Sequence, residues 1–455
     1  MTTRIGLLSA LGVLLCSATQ LFAQTDYPVP FVNKPLVPET AAPGGRGFIL
    51  TVNGTGFSAQ SVVKWNGSAL PTVFVNDTQL TARIAASDIA TASTAVVTVV
   101  NPGPLSHISN PVTFGITTPE PSIVFQSSSI PVGGPLTAAD LNGDGIPDLV
   151  TLSGTTVYVA LGTGGGQFGP TQSYPVSAFP GFIAVGDFSG ARKPDLAVAG
   201  TSGVEILPNN GNGTFGPVHR ITDIDLNWLA TGDLNGDGYL DLVGTSPSGA
   251  VYVMLYNPTG GFLKAVPYAV GADPVSVVVG DFNHDGFLDL AALNFDDSIS
   301  VLLGNGDGTF QPQTVYPTGG DRDFPTALVT ADFNGDGNLD LVRSASLDPA
   351  GIGILLGNGD GTFQPVQITP GSGYGLAAGD FNGDGKLDLA VGTNGTGAGI
   401  LLGNGNGTFQ SWQYFSSLGF VLAAADFNQD GRLDIAIETE TSEGSGVYMI
   451  LLLLQ

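Results

Sequence analysis

Between residues 122 and 455, short apolar runs alternate with polar, glycine-rich turns, and no stretch carries the period of a helix. The runs come in fours. Leu376-Ala377-Ala378-Gly379 leads into an acidic loop, Leu387 to Val391 leaves it, Gly399 to Leu402 follows, and a fourth run begins after Phe409-Gln410. A ten-residue marker identifies each unit: DLNGDGIPDL from Asp140, DFSGARKPDL from Asp187, DLNGDGYLDL from Asp233, DFNHDGFLDL from Asp281, DFNGDGNLDL from Asp332, DFNGDGKLDL from Asp380 and DFNQDGRLDI from Asp426. Successive markers start 46 to 51 residues apart, the signature of one supersecondary unit stacked many times. Four up-and-down strands in each of seven units predict an all-β, seven-bladed β-propeller over 122–455, which leaves only short, protected edges.

The last unit has runs at Val421 to Ala425, Leu433 to Ile437 and Val447 to Leu454, and then the sequence stops, one strand short. Elsewhere the fourth strand follows a Phe-Gln pair, and Phe125-Gln126 stands before the first loop with no earlier unit to own it. Residues 122–131 are therefore expected to close the ring, with 123–130 antiparallel to 447–454.

Residues 28–116 carry a different pattern. Phe48 to Val52, Val62 to Trp65, Thr72 to Val75, Leu80 to Ile84, Ala95 to Val100 and Val112 to Ile116 are β-rich runs divided by Asn-Gly, Asn-Asp and Asn-Pro-Gly turns. Six or so short strands in this span predict an immunoglobulin-like β-sandwich. The stretch FILTVNGTGFSAQSVVKWNG and the closing SNPVTFGI resemble the IPT/TIG family, which implies a spacer or interaction module. Thr117 to Pro121 reads as a stiff linker.

Ahead of this unit, Arg4, the apolar run Ile5 to Cys16 and Ala23 form the parts of a secretory signal peptide over 1–23. Leu15 before Cys16 does not suit a lipoprotein signal. Cleavage would remove the single cysteine, leaving no disulfide, thiol nucleophile or thiolate site. Lys+Arg 13 against Asp+Glu 39 gives a net charge of -26, a poor match for nucleic acid or an anionic membrane. The charge fits an acidic, cation-binding protein, which the signal peptide would send to the exterior or the cell surface; it is expected to be a monomer that does not insert into membranes.

The acidic loops carry the chemistry. A hard cation such as Ca²⁺ takes about six to eight oxygens, and a glycine at loop position 6 lets the chain turn sharply enough to gather them. Side chains at positions 1, 3, 5 and 9 and the backbone carbonyl at position 7 are the expected ligands. The six sets are Asp140, Asn142, Asp144, Ile146 and Asp148; Asp233, Asn235, Asp237, Tyr239 and Asp241; Asp281, Asn283, Asp285, Phe287 and Asp289; Asp332, Asn334, Asp336, Asn338 and Asp340; Asp380, Asn382, Asp384, Lys386 and Asp388; and Asp426, Asn428, Asp430, Arg432 and Asp434. An EF-hand would place glutamate at position 12 and run into a helix. Here position 12 is Thr151, Val198, Gly244, Ala292, Arg343, Val391 or Ile437, and a strand follows. Three convergent carboxylates without a cation would repel one another, so about six Ca²⁺ are expected. The second loop has Ala191, Arg192 and Lys193 at positions 5 to 7. It is expected to bind calcium weakly or not at all, a cationic side chain replacing the metal's charge. Leu or Phe at position 2 of every loop is expected to pack between blades.

With LLGNGDGTFQP at Leu302 to Pro312 and Leu355 to Pro365, these loops resemble the FG-GAP/VCBS repeats of integrin α-subunit propellers and many secreted bacterial proteins. The resemblance implies calcium on the hairpin between the first two strands of a blade and ligands on the opposite face. The expected function is adhesion or binding of an extracellular protein or glycan, without catalysis. A carbohydrate-active enzyme such as a polysaccharide lyase, or a purely structural cell-surface module, remains an alternative. His107, His219 and His284 fall in separate units, with His284 merely exposed at a loop's position 4. Asp296, Asp297, Asp321 and Asp323 are the nearest thing to a carboxylate pair. No nucleophile elbow, phosphate loop or zinc spacing occurs. Asn-Gly sequons read as turns. Phe179, Phe182, Trp228, Phe295, Arg322, Phe324, Tyr374 and Phe420 fall on the loops expected at the ligand face, where they either meet a ligand or pack between blades.

Overall fold

The computed structural model describes residues 27–455 apart from 104–106, 121–125, 131–133, 178–179, 320–324, 346–350, 394–397, 415–421, 441–447 and 455. The described residues are all-β. No described helix is long and apolar enough to cross a membrane.

The N-terminal unit is two sheets packed face to face. One orders Phe31–Val32, Phe48–Thr55, Gln79–Ile84 and Thr72–Asn76. The other orders Thr40–Ala41, Val112–Ile116, Ser93–Val100, Val62–Trp65 and Ser68–Ala69. Alternation in Ser93–Val100 sends Ala95, Val97 and Val99 inward, where they meet Leu50, Val52, Leu80 and Phe114. Phe114 packs against Trp65 at 5.1 Å and Phe48 at 5.6 Å between ring centres. Thr40–Ala41 runs parallel to Val112–Ile116 and leaves the sandwich toward the second unit.

That unit contains seven four-stranded antiparallel sheets among the described residues. Their first strands are Leu136–Ala139, Pro180–Gly186, Trp228–Gly232, Pro274–Gly280, Pro325–Ala331, Gly375–Gly379 and Leu422–Ala425. Each first strand lies beside the next, and the seventh returns to the first. Second strands such as Asp195–Gly200, Asp241–Ser246 and Asp289–Asn294 are buried along their whole length because both faces meet neighbouring sheets.

Position 2 of each loop is the wedge between sheets. Leu141, Phe188, Leu234, Phe282, Phe333, Phe381 and Phe427 are at most 3% exposed. Phe282 packs against Phe363 and Phe333 against Phe409, each on the following sheet, at 5.5 and 5.9 Å. The wedge residue's carbonyl also accepts from the following sheet's strand 3–4 hairpin: Gly308 N–H to Leu234 at 3.0 Å, Gly361 N–H to Phe282 at 2.9 Å and Gly407 N–H to Phe333 at 3.2 Å.

The same contacts cross the seam between the seventh sheet and the first. Gly166 N–H donates to the Phe427 carbonyl at 3.0 Å, and Phe168 lies 5.9 Å from the Phe427 ring. Gln126–Ile130 supplies the seventh sheet's fourth strand, paired antiparallel with Tyr448–Leu454 from Gln126↔Leu454 to Ile130↔Ile450. Expected strand residues 123–125 and 447 lie outside the described residues. The chain thus completes its last sheet with a strand from before its first, giving the seventh sheet the same four strands as the other six.

Candidate metal loops and the face they form

Each acidic loop joins the first and second strands of a sheet, so all seven open on one face of the ring. The loop backbone is left-handed at two places. Position 6 has φ from +59° at Arg192 to +97° at Gly431, and position 4 from +58° at His284 to +78° at Gly143. Position 4 is glycine in five loops, His284 in the fourth and Gln429 in the seventh. Neither side chain is idle. The His284 ring nitrogen Nε2 is 2.9 Å from Asn338 Oδ1 of the next loop, and Gln429 Nε2 donates to the Gly145 carbonyl at 3.4 Å. His284 is therefore an inter-blade contact and not merely exposed. The recurring glycine at position 4 was the sequence signal for the turn; the bridging role had none.

Hydrogen bonds within the loops repeat closely. The position 1 carboxylate accepts the position 6 N–H in all seven, at 2.7 to 3.0 Å. In the six loops with Asn at position 3, that Asn Oδ1 accepts the position 5 N–H at 2.8 to 3.0 Å. The position 5 carboxylate accepts the position 7 N–H at 2.8 to 3.0 Å in the same six. These bonds turn Asp140, Asn142 and Asp144, and their counterparts, toward the inside of one turn, with the chain at Ile146, Tyr239, Phe287, Asn338, Lys386 and Arg432 running past them.

Position 9 does something further. Asp148, Asp195, Asp241, Asp289, Asp340, Asp388 and Asp434 are fully buried. Each accepts the position 2 N–H on Oδ2 at 2.8 to 3.0 Å. In the first six, Oδ1 accepts an N–H just beyond the third strand, such as Gly162 or Gly304, at 2.7 to 2.8 Å. The position 9 carboxylate therefore staples loop to sheet, and does so even in the divergent second loop. Burial pushes Asp241 and Asp388 up to about 8 and Asp289 and Asp340 to about 7, against the pull of those N–H donors.

The second loop keeps the turn without the acid. Asp187 accepts the N–H groups of Ala191 and Arg192 at 2.9 and 2.7 Å. Lys193 Nζ donates to the Asn210 carbonyl at 2.8 Å, in the strand 3–4 hairpin of its own sheet, so this lysine does not take the metal's place.

The residues of the other loops fit a hard cation. Oxygen donors of carboxylate and amide type face one turn, and the position 5 carboxylates, such as Asp144 and Asp336, accept one hydrogen bond on each oxygen and so keep lone pairs for a cation. In the fourth loop, Asp281 is 1% exposed and its Oδ1 has no hydrogen-bond partner. A buried carboxylate oxygen left unpaired is costly, and a cation would satisfy it. Among the described residues no three His, Cys, Asp or Glu side chains are drawn into a finished metal cluster; backbone donors hold the loop carboxylates in place.

The immunoglobulin-like unit covers much of this face. Val29 N–H donates to Asp233 Oδ2 at 2.7 Å, and the Lys34 carbonyl accepts from the Asp332 N–H at 3.0 Å. Thr40 Oγ1 reaches the Gly383 carbonyl at 3.5 Å, and Glu120 N–H the Asn382 carbonyl at 2.8 Å. Arg432 pairs with Glu120 at 2.9 Å and donates to the Thr118 carbonyl at 3.2 Å, fixing the linker. A Cβ on Gly431, whose φ is +97°, would stand 2.7 Å from the Ile116 carbonyl oxygen.

The strand 2–3 turns and sheet-to-sheet connections lie on the opposite face. There Phe182 and Trp228, from neighbouring sheets, stack at 4.0 Å between ring centres, and both are half-buried. Phe295 is 37% exposed and Tyr374 half-buried. Asp296 serves its own turn, accepting from Ser298 Oγ at 2.6 Å. Phe179, Asp321, Arg322, Asp323, Phe324 and Phe420 lie outside the described residues, as does the signal stretch 1–23.

Comparison with known proteins fits this architecture. The FG-GAP-like repeat model matches residues 140–190, 187–243, 233–292, 281–343, 344–391 and 380–437, and the IPT/TIG domain model matches 33–116. No curated protein matches the chain. Among solved structures, an Agrocybe aegerita lectin recognising non-reducing terminal N-acetylglucosamine is 20% identical, covering 80% of this chain and 95% of its own, with a TM-score of 0.50. BBS1N, solved in complex with ARL6DN, is 16% identical over 73% of this chain and 97% of its own, with a TM-score of 0.51. An auxiliary nutrient binding protein from Bacteroides thetaiotaomicron is 10% identical over 94% and 98%, with a TM-score of 0.42. The chain belongs to the FG-GAP-like repeat family, as a β-propeller preceded by an IPT/TIG domain.

Proposed function

We propose that this is a secreted or cell-surface binding protein without catalytic activity. Calcium in six loops stiffens the propeller, and a protein or glycan ligand meets the face away from those loops. One observation carries the reading: the IPT/TIG domain docks on the loop face, through contacts such as the Lys34 carbonyl to Asp332 N–H and Thr40 Oγ1 to the Gly383 carbonyl. The opposite face, with its half-buried Phe182–Trp228 stack, is left for a partner. Aromatic faces of this kind suit the apolar faces of sugar rings and protein surfaces alike.

Calcium would supply positive charge among the loop carboxylates, and the unpaired Asp281 Oδ1 supports that fit. The structural neighbours include a glycan-binding lectin and a protein-bound propeller, so glycans are the first ligands to screen. A glycan array probed with the mature chain in calcium, then with Trp228→Ala, tests the reading. Removing one stacking aromatic should weaken binding about tenfold or more. Undiminished binding by the variant would place the ligand elsewhere.

A further inference from the structure

The sixth loop, Asp380 to Asp388, lies under the N-terminal domain. The strand Thr40–Ala41 crosses it, with Thr40 held at the Gly383 carbonyl at 3.5 Å. The residue before that strand is Glu39. A cavity of about 30 Å³ lies here between the two domains, lined by Lys34, Glu39, Thr94, Asp380 and Gly431 among others. It is large enough for a water or a cation.

Glu39 Oε2 is closed off from solvent in this structure and has no hydrogen-bond partner. Lys34 lies close enough to favour its charged form, yet no ion pair within 4.0 Å joins them. Burial pushes the Glu39 carboxyl well above the usual range, and the charges of Asp380, Asp388 and Asp384 push it further. A carboxylate brought in from another domain, its Oε2 unpaired beside a cavity that Asp380 also lines, is unfavourable unless positive charge sits between them.

Resting on the reading that the loops bind calcium, we propose that Glu39 is a carboxylate lent by the IPT/TIG domain to the cation of the sixth loop. The ion held by Asp380, Asn382, Asp384 and Asp388 is then shared across the domain boundary. Calcium does more than stiffen one blade: it fastens the N-terminal domain to the ring. The position is set by the next residue, Thr40, whose Oγ1 donates to the Gly383 carbonyl of this loop.

Hydrogen exchange on the full mature chain tests this, with and without calcium, for wild type, Glu39→Gln and Asp384→Asn. In wild type, calcium should slow exchange across residues 33–41 and 117–120 at least tenfold. In Glu39→Gln that slowing should disappear, while calcium still raises the melting temperature. In chelator the same variant should melt no lower than wild type, since the carboxyl that is replaced has an oxygen without a hydrogen-bond partner. Asp384→Asn should lose the same protection from the loop side. If Glu39→Gln keeps full calcium-dependent protection while Asp384→Asn loses it, Glu39 is a neutral carboxyl bonded to water and the proposal is wrong. If wild type shows no calcium effect anywhere, the calcium reading itself has failed.

Discussion

The aspartate at loop position 9 meets two demands at once. It staples position 2 and the end of the third strand through backbone N–H groups, as Asp340 does for Phe333 and Gly357 at 2.8 Å each. It also stands fully buried beside the carboxylates of positions 1 and 5. Without a cation, burial raises Asp148 to about 6, Asp340 to about 7 and Asp388 to about 8. A folded-state value above the unfolded one, about 3.9, means that the folded chain holds the proton more tightly. This contribution favours folding at acid pH and is lost as pH rises from about 4 through 6 to 8. Metal-free protein should therefore melt lower at pH 8 than at pH 5.5. Calcium needs the ionised carboxylates, so in its presence the order should reverse. Calorimetry at both pH values, after exhaustive dialysis and again with calcium, checks this; the same order in both conditions would refute it.

At the scale of one loop, the second sheet is a natural control. It has the same turn, with Asp187 bonded to two N–H groups and Asp195 stapled to Phe188 at 3.0 Å, but Ala191 and Arg192 replace the acid and the glycine. Turn geometry therefore does not depend on the ligand set. Replacing Ser189→Asn, Ala191→Asp and Arg192→Gly together should restore it and add one bound calcium per chain. The variant should melt higher than wild type in calcium and lower in chelator, where a new carboxylate finds no charge to meet. Metal content by mass spectrometry reads the first effect directly, and an unchanged count would contradict it. The loops were legible because their chemistry is periodic: acids at positions 1, 5 and 9 recur at a fixed spacing, and so does the wedge residue at position 2. The bridges from His284 and Gln429 were not, since they depend on which neighbour's carbonyl or amide the ring presents. Nor was the covered face legible. The IPT/TIG domain docks largely through backbone groups of Val29 and Lys34 and close approach to Gly431, which leave no mark in residue type.

Across the whole molecule, two features join segments that lie far apart in sequence. Gln126–Ile130 completes the sheet made by the last residues, and the IPT/TIG domain sits over loops from several sheets at once. Both make the fold depend on contacts between segments distant in sequence. Missing charge at the loops should therefore be felt by the ring as a whole. Eighteen aspartates stand in the six intact loops, within a chain whose net charge is -26. Each site that binds only the folded state adds about 2.7 kcal/mol when free calcium is 100 times its dissociation constant. The most direct measurement is a calorimetric melt of the mature chain in excess chelator, then with calcium or magnesium restored. Chelation should lower the melting temperature by roughly 10 °C or more, with calcium and not magnesium reversing the loss. A melting temperature that stays the same in chelator would contradict a calcium-held propeller.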